Sequence, residues 1–207
     1  MKRGALIIVE GVDRTGKTTQ CKELVKNLNA KNVQAEYTNF PARHTEIGKT
    51  INNYLTFKNN LSDEAIHLLF SANRWERAQE IRKILEQGTS LIIDRYCFSG
   101  VAYSAAKGLD LNWCKSPDVG LPKPDKVFFL TMPLEVVQAR KGYGSERYEE
   151  LEFHKKVAQV FSQLQDDTWD VLDASRSVEC IQEELLEKTL NIVNSVVDKP
   201  IGKVWRE

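Results

Sequence analysis

The chain has 207 residues, 42% of them hydrophobic, which suits one domain spanning 1–207 with one sizeable core. Lys and Arg (29) balance Asp and Glu (29), so neither a strongly basic nucleic-acid surface nor a polybasic membrane anchor is expected, and no apolar run approaches the length of a membrane span. Four scattered cysteines without a C-x-x-C pair argue against a zinc site or a disulfide framework and fit a reducing setting, cytoplasmic or also nuclear.

Residues 5–10 are a short apolar run that reads as a buried strand. It leads at once into Gly11-Val-Asp13-Arg14-Thr15-Gly16-Lys17-Thr18, a full match to G-x-x-x-x-G-K-[ST], and then into Cys21, Leu24, Val25 and Leu28 at helical spacing. An alternating strand (Val33, Ala35, Tyr37) precedes Phe40, and a helix is expected at Ile47, Ile51, Tyr54 and Leu55. Ser62-Asp63-Glu64 caps a long amphipathic helix running to about Leu85, where Gly88 closes it; its apolar excess (Ile66, Leu69, Ala72) is the candidate surface of a homodimer. Residues 90–94, 126–131 and 169–173 read as further buried strands, with helices at 98–107, 133–140, 147–165 and 178–196. Alternation of this kind predicts a three-layer α/β/α fold on a five-stranded parallel sheet, with ligands beyond the carboxyl ends of the strands.

The glycine-rich loop carries the chemistry. Gly11 and Gly16 permit a tight backbone whose N–H groups face phosphate oxygens, and the following helix adds its positive end. Lys17 supplies a mobile charge for the β- and γ-phosphates, and the Thr18 hydroxyl is a ligand for Mg²⁺. The loop alone leaves switch GTPases, motor ATPases and small-molecule kinases open. Neither D-x-x-G nor N-K-x-D follows a strand here, which removes the switch reading.

A second set of cations calls for a second phosphate. Asp94 and Arg95 end the most apolar strand, where Asp94 suits the metal's hydration shell and Arg95 a phosphate. Arg43 follows the second strand. Phe70 and Arg74 share a helix face at i, i+4, a ring beside a guanidinium, which suits a stacked and hydrogen-bonded base. Arg140-Lys-Gly-Tyr-Gly-Ser-Glu-Arg147 has the composition of a flap that closes over phosphates, a lid spanning approximately 133–154. One triphosphate cradle plus several further cations is what phosphoryl transfer between two nucleotides requires.

The blocks GVDRTGKTTQ, NFPARHTEIGK, LLFSANRWE, LIIDRYCFSGVAY, GLPKPD and GSERYE, in this order, resemble the thymidylate kinase family, closest to its eukaryotic and poxviral branch. The resemblance implies a homodimer that transfers the γ-phosphoryl group of ATP to dTMP with Mg²⁺, without nucleic-acid or membrane partners. It implies that Asp13 lies near the dTMP sugar and phosphate, orienting the sugar or an arginine rather than removing a proton, and that Arg14 acts on the transferring group. Thr15, Gly16, Lys17, Thr18 and Thr19 hold ATP and its metal. Arg43 and Arg95 hold the dTMP phosphate, and Phe40 and Phe70 enclose thymine. Arg74 reaches a thymine carbonyl, Ser99 and Gly100 line the base pocket, and Tyr96 lies under the deoxyribose. Arg140 and Arg147 belong to the lid and bind the donor, Tyr148 reaches the substrate, and Arg176 lies near adenine. Two positions depart from the family's pattern: His154 stands where relatives carry Gln, and Tyr103, also on the substrate side, where they carry Phe. The Tyr103 hydroxyl needs a partner if buried.

Overall fold

The computed structural model describes residues 3–133, 136, 147–148 and 151–206; the expected helix at 133–140, Arg140 and most of the 133–154 lid lie outside the described residues. Five parallel strands build the sheet: β1 (Leu6–Glu10), β2 (Ala35–Asn39), β3 (Ser90–Asp94), β4 (Lys126–Thr131) and β5 (Trp169–Asp173), in the order β2-β3-β1-β4-β5. β1 and β3 are buried at every position, as strands covered on both faces must be. Their register pairs Val9 with Asp94, which brings the segments after β1 and β3 out side by side at the carboxyl edge. That edge is where a ligand belongs in an open parallel sheet.

Helices α1 (Lys17–Ala30), α2 (Glu46–Leu55), α3 (Asp63–Trp75), α4 (Ala78–Glu86), α5 (Cys97–Ala105), α6 (Leu111–Lys115), α7 (Leu151–Leu164) and α8 (Val178–Val196) complete the order. α1 packs on α8, while α3 and α7 both pack on α5. One large apolar cluster surrounds the sheet. A smaller one, Ile51, Tyr54, Leu55 and Ile66, joins α2 to α3 with Leu69 and Phe70 against it. It forms a floor beside the carboxyl edge.

The expected single helix from Ser62 to Leu85 is two. Ser62 does cap α3 through Ala65 N, but the chain turns at Glu76 and Arg77 without Gly or Pro. Side-chain bonds hold the break: Asn73 Nδ2 donates to Glu76 Oε1 at 2.6 Å, Thr45 Oγ1, from a distant segment, donates to the same oxygen at 2.8 Å, and Arg77 N closes a tight i−3 bond to Arg74 O. The candidate dimer surface shifts with it. Ile66 is buried and Leu69 half-buried in the smaller cluster, and the apolar side chains of α3 turned outward are Leu68, 47% exposed, and Trp75, 41% exposed.

Candidate active site

The loop between β1 and α1 is shaped by its glycines and by strain. A Cβ on Gly11 would lie 2.5 Å from the Leu130 carbonyl oxygen, so only glycine lets the loop cross β4 there. Arg14 and Arg95 both hold a left-handed backbone at φ 66°, a conformation uncommon for residues other than glycine. Lys17 is 5% exposed, and its ammonium donates to the Val12 carbonyl at 2.7 Å. Burial and the Arg95 charge push it down to about 8, against the pull of Asp13, Asp94 and Glu10. A cavity of about 220 Å³ opens over this loop, lined by Asp13, Arg14, Gly16, Lys17, Thr18, Thr19, Asp94 and Arg95. Gly11 and Thr15 stand behind it as scaffold, with Thr15 Oγ1 donating to Val12 O at 3.1 Å.

A second cavity, about 230 Å³, lies between β2, α3 and α5. Every substrate-side residue singled out in the sequence lines it: Phe40, Arg43, Phe70, Arg74, Arg95, Tyr96, Ser99, Gly100, Tyr103 and Tyr148. The two cavities share Asp13, Thr18, Asp94 and Arg95. They therefore meet at one polar seam.

At the seam Arg95 is held from three sides. It donates to Asp13 Oδ1, to Ser99 Oγ at 3.1 Å and to the Gly11 carbonyl at 3.3 Å. Ser99 in turn donates to Glu10, which is fully buried and also accepts from Tyr96 N at 2.9 Å and Ser99 N at 3.1 Å. Burial raises the Glu10 carboxyl despite the Ser99 hydrogen bond and the Arg95 charge. Burial would also raise Asp13, but the Arg95 charge, His154 and Lys17 outweigh it and hold that carboxyl well below the usual range. Asp13 Oδ2 accepts from the Tyr103 hydroxyl at 2.9 Å, and His154 Nε2 lies 3.6 Å from the same oxygen. The two departures from the family's pattern thus converge on one carboxylate oxygen. The Tyr103 hydroxyl has its partner.

Thr18 Oγ1 donates to Asp94 Oδ2 at 2.5 Å, while Asp94 Oδ1 is buried without a hydrogen-bond partner among the described residues. An orphaned carboxylate oxygen beside a hydroxyl at the phosphate loop fits the hydration shell of Mg²⁺. No cluster of three or more His, Cys, Asp or Glu among the described residues could hold a metal by itself.

At the far end of the second cavity, Arg74 is 2% exposed and forms a two-pronged pair with buried Asp118. Phe40 packs 5.9 Å from the Tyr96 ring, whose hydroxyl points away to Pro122 O at 3.2 Å, leaving the ring in the wall. Asn73 Oδ1 accepts from Ala42 N at 2.7 Å and so fixes the turn carrying Phe40 and Arg43; Arg43 donates to Asn52 Oδ1 at 2.8 Å. Tyr148 accepts from Lys107 Nζ at 2.7 Å.

Two expected donor-side arginines line neither cavity. Arg147 stacks 4.2 Å over Tyr54 and donates to Tyr54 O, Asn59 O and Asn60 Oδ1, where carbonyls around the end of α2 and an aromatic face attract a guanidinium. Arg176, in the segment after β5, bonds Asp173 O and Glu184 at the surface and lines neither cavity. Glu10, Asn73 and Asp118 were not expected. Glu10 had a signal, a charged residue inside an apolar strand, whereas Asp118 sits in a turn sequence with nothing to mark it.

A phosphate-loop α/β fold whose donor cradle opens onto an acceptor pocket through shared Asp and Arg residues defines a nucleotide-dependent phosphotransferase. The family model described as thymidylate kinase matches residues 9–185. A thymidylate kinase of Danio rerio is 48% identical and one of Homo sapiens 46% identical, each with 99% of both chains covered. The solved thymidylate kinase of Candida albicans superposes with a TM-score of 0.90 at 40% identity over 99% of each chain. This chain belongs to the thymidylate kinase family. It is a kinase that uses ATP, and no helix among its described residues is long and apolar enough to cross a membrane.

Proposed function

We propose that this kinase moves the γ-phosphoryl group of ATP to dTMP, giving ADP and dTDP for dTTP synthesis, across the seam at Asp13 and Arg95. The observation that carries the reading is that two cavities, one over the phosphate loop and one walled by aromatic rings, share Asp13, Thr18, Asp94 and Arg95. Because the acceptor is already a phosphate anion, no strong base is needed; the barrier lies in bringing two polyanions together. Lys17 follows the β- and γ-phosphates and Arg14 stabilises the transferring group. Arg43 and Arg95 grip the dTMP phosphate. Asp13, kept ionised, holds Arg95 in line and faces the sugar rather than removing a proton. Phe40 and Phe70 enclose the base, Arg74 donates to its carbonyl, and the Tyr96 ring blocks a ribose 2′-hydroxyl. Ser99, Gly100, Tyr103 and Tyr148 complete the walls.

Thr18 and, through water, Asp94 would hold Mg²⁺, which when bound neutralises charge on the β- and γ-phosphates. Chain 1–207 works as one catalytic unit with 133–154 as its lid, Arg140 reaching the donor and Arg147 latching the lid to the end of α2. Arg176 borders the adenine. The enzyme is a cytoplasmic homodimer, joined along the outward stripe of α3 where Leu68, Ala72 and Trp75 recur at i, i+4, i+7.

Acceptor kinetics test the reading. We expect kcat/KM to rank dTMP first and dUMP somewhat behind, with dCMP and UMP poor. Cytosine turns an amino group toward the Arg74 guanidinium, a mismatch that can reach about 10⁴-fold, whereas one methyl in an apolar pocket is worth roughly 1–3 kcal/mol. Arg74→Leu should lose most of the dTMP-over-dCMP preference. Equal use of dCMP and dTMP by the unaltered enzyme would overturn the base-site assignment.

A further inference from the structure

Arg74 poses a charge problem that phosphate chemistry does not explain. A guanidinium stays protonated, so when buried it must be neutralised by the protein or by its ligand. A thymine ring is neutral. The counter-charge is Asp118, fully buried in the 3₁₀ turn Ser116–Asp118. Arg74 Nε donates to its Oδ1 at 3.0 Å and Nη2 to its Oδ2 at 2.6 Å, a fork that fixes the guanidinium plane.

The turn is itself clasped by α3. Ser71 Oγ donates to Asp118 Oδ1 at 2.8 Å, and Trp75 Nε1 donates to Pro117 O at 2.6 Å. Gly100 lets the guanidinium lie against α5, since a Cβ there would sit 2.7 Å from Arg74 Nη2 and 3.0 Å from Nη1. With Nε and Nη2 engaged, Nη1 is the edge that Asp118 leaves for the cavity. Without Asp118 the same side chain would be a buried, unanswered cation, free to turn, and suited to an anion rather than to a neutral carbonyl.

We propose that Asp118 is a positioning residue for base selection. Its carboxylate sets which donor Arg74 presents and cancels the charge, so that the pocket selects a neutral ring bearing a carbonyl acceptor over one bearing an amino group. This inference rests on the reading of Arg74 as the base contact, and the test separates the two.

The experiment measures kcat and KM for dTMP and dCMP, and KM for ATP, in the unaltered enzyme, Asp118→Asn, Ser71→Ala, Arg74→Leu and the double variant Arg74→Leu/Asp118→Asn. For Asp118→Asn we expect KM for dTMP to rise about tenfold or more and the dTMP-over-dCMP ratio to fall by a similar factor, with kcat and KM for ATP moving less than about threefold. Ser71→Ala, which removes one hydrogen bond to the carboxylate, should shift the ratio the same way by about threefold. In the Arg74→Leu background Asp118→Asn should change the ratio no further, because a positioning residue has nothing left to position. If Arg74→Leu lowers the ratio while Asp118→Asn leaves it intact, Asp118 is structural and the inference falls while the base site stands. If Arg74→Leu itself leaves the ratio unchanged, the base-site reading falls first. Should Asp118→Asn fail to fold, Ser71→Ala decides, an unchanged ratio there overturning the inference.

Discussion

At the phosphate end of the cleft Lys17 is left only partly answered, its ammonium turned back onto a backbone carbonyl and its proton weakened by burial and by Arg95, whereas at the base end Arg74 is fully paired with a buried carboxylate. The difference follows what each end receives. A polyanion brings its own charge, so cations waiting for it can stay under-neutralised, and binding completes the electrostatics. A neutral base brings none, so the protein has to supply the counter-ion itself. Arg95 stands between the two cases, with Asp13 against it, at the seam where the acceptor phosphate meets the donor.

The comparison breaks most sharply at the phosphate loop. Lys17→Ala removes the mobile charge and leaves the backbone cradle, so turnover should fall on the order of 10³-fold or more while ATP affinity changes far less, since the lost interaction strengthens in the transition state. Activity within about threefold of the parent would contradict the loop's role. Arg14→Gly should cost on the order of 10³-fold in turnover by analogy with other phosphoryl-transfer arginines, with little change in KM for dTMP. Its effect on folding should be small. The backbone at φ 66° suits glycine better than arginine, which offsets the added freedom of the unfolded chain, so stability by thermal melt should stay within ~1 kcal/mol. A loss seen wholly as weaker dTMP binding would make Arg14 a substrate clamp instead.

The two ends were also unequally legible before folding. The donor cradle is one contiguous run, Gly11 to Thr19, whose glycine and lysine spacing carries its own mechanism. Strands β3 and β4 matched their apolar runs residue for residue, because a strand covered on both faces leaves a nearly uninterrupted apolar segment, while β5 matched in span but lies at the sheet edge with Val171 exposed. The acceptor pocket is assembled from segments around 40–43, 70–74, 95–103 and 118, and only the Phe70–Arg74 spacing and the arginines that follow strands, Arg43 and Arg95, were local enough to see. Its remaining residues were reached through family resemblance. Asp118 was invisible because its partner is 44 positions away, and the helix break at Glu76 because side chains of Asn73 and Thr45, not a backbone-breaking residue, hold it. The contacts of Arg147 around the end of α2 had no signal, because no pattern in its own segment reports them.

A smaller break can be made at the base end without touching a charge. Gly100→Ala would press a methyl against the Arg74 fork, whose nearest nitrogen would lie 2.7 Å away. Since Asp118 prevents that fork from yielding, KM for dTMP should rise roughly tenfold, as a packed site accepts even one added carbon poorly. KM for ATP should not follow. Equal increases for both nucleotides would mean that the substitution disturbs α5 as a whole rather than the base end alone.

The smallest expected effect is a pH profile that separates the two ends. With the Lys17 ammonium pushed down to about 8, the free enzyme loses this charge as pH rises through that value, so kcat/KM for ATP should fall by up to about tenfold per unit above it. Bound phosphates favour the charged form, so kcat at saturating ATP should remain flat further into the alkaline range. Arg74, its cationic form reinforced by Asp118 against burial, should give the base end no such dependence. Stability distinguishes this from alkaline unfolding. Between about 8 and the ordinary lysine value of 10.5 the unfolded chain binds the proton that the folded chain has lost, so the contribution of Lys17 to stability rises with pH across that window. Rate measurements from pH 6.5 to 9.5, alongside thermal melts, should therefore show ATP capture weakening with no matching loss of stability from this group. A flat kcat/KM for ATP over that range would mean that Lys17 keeps its full charge before ATP arrives, and that the phosphate end is as well neutralised as the base end.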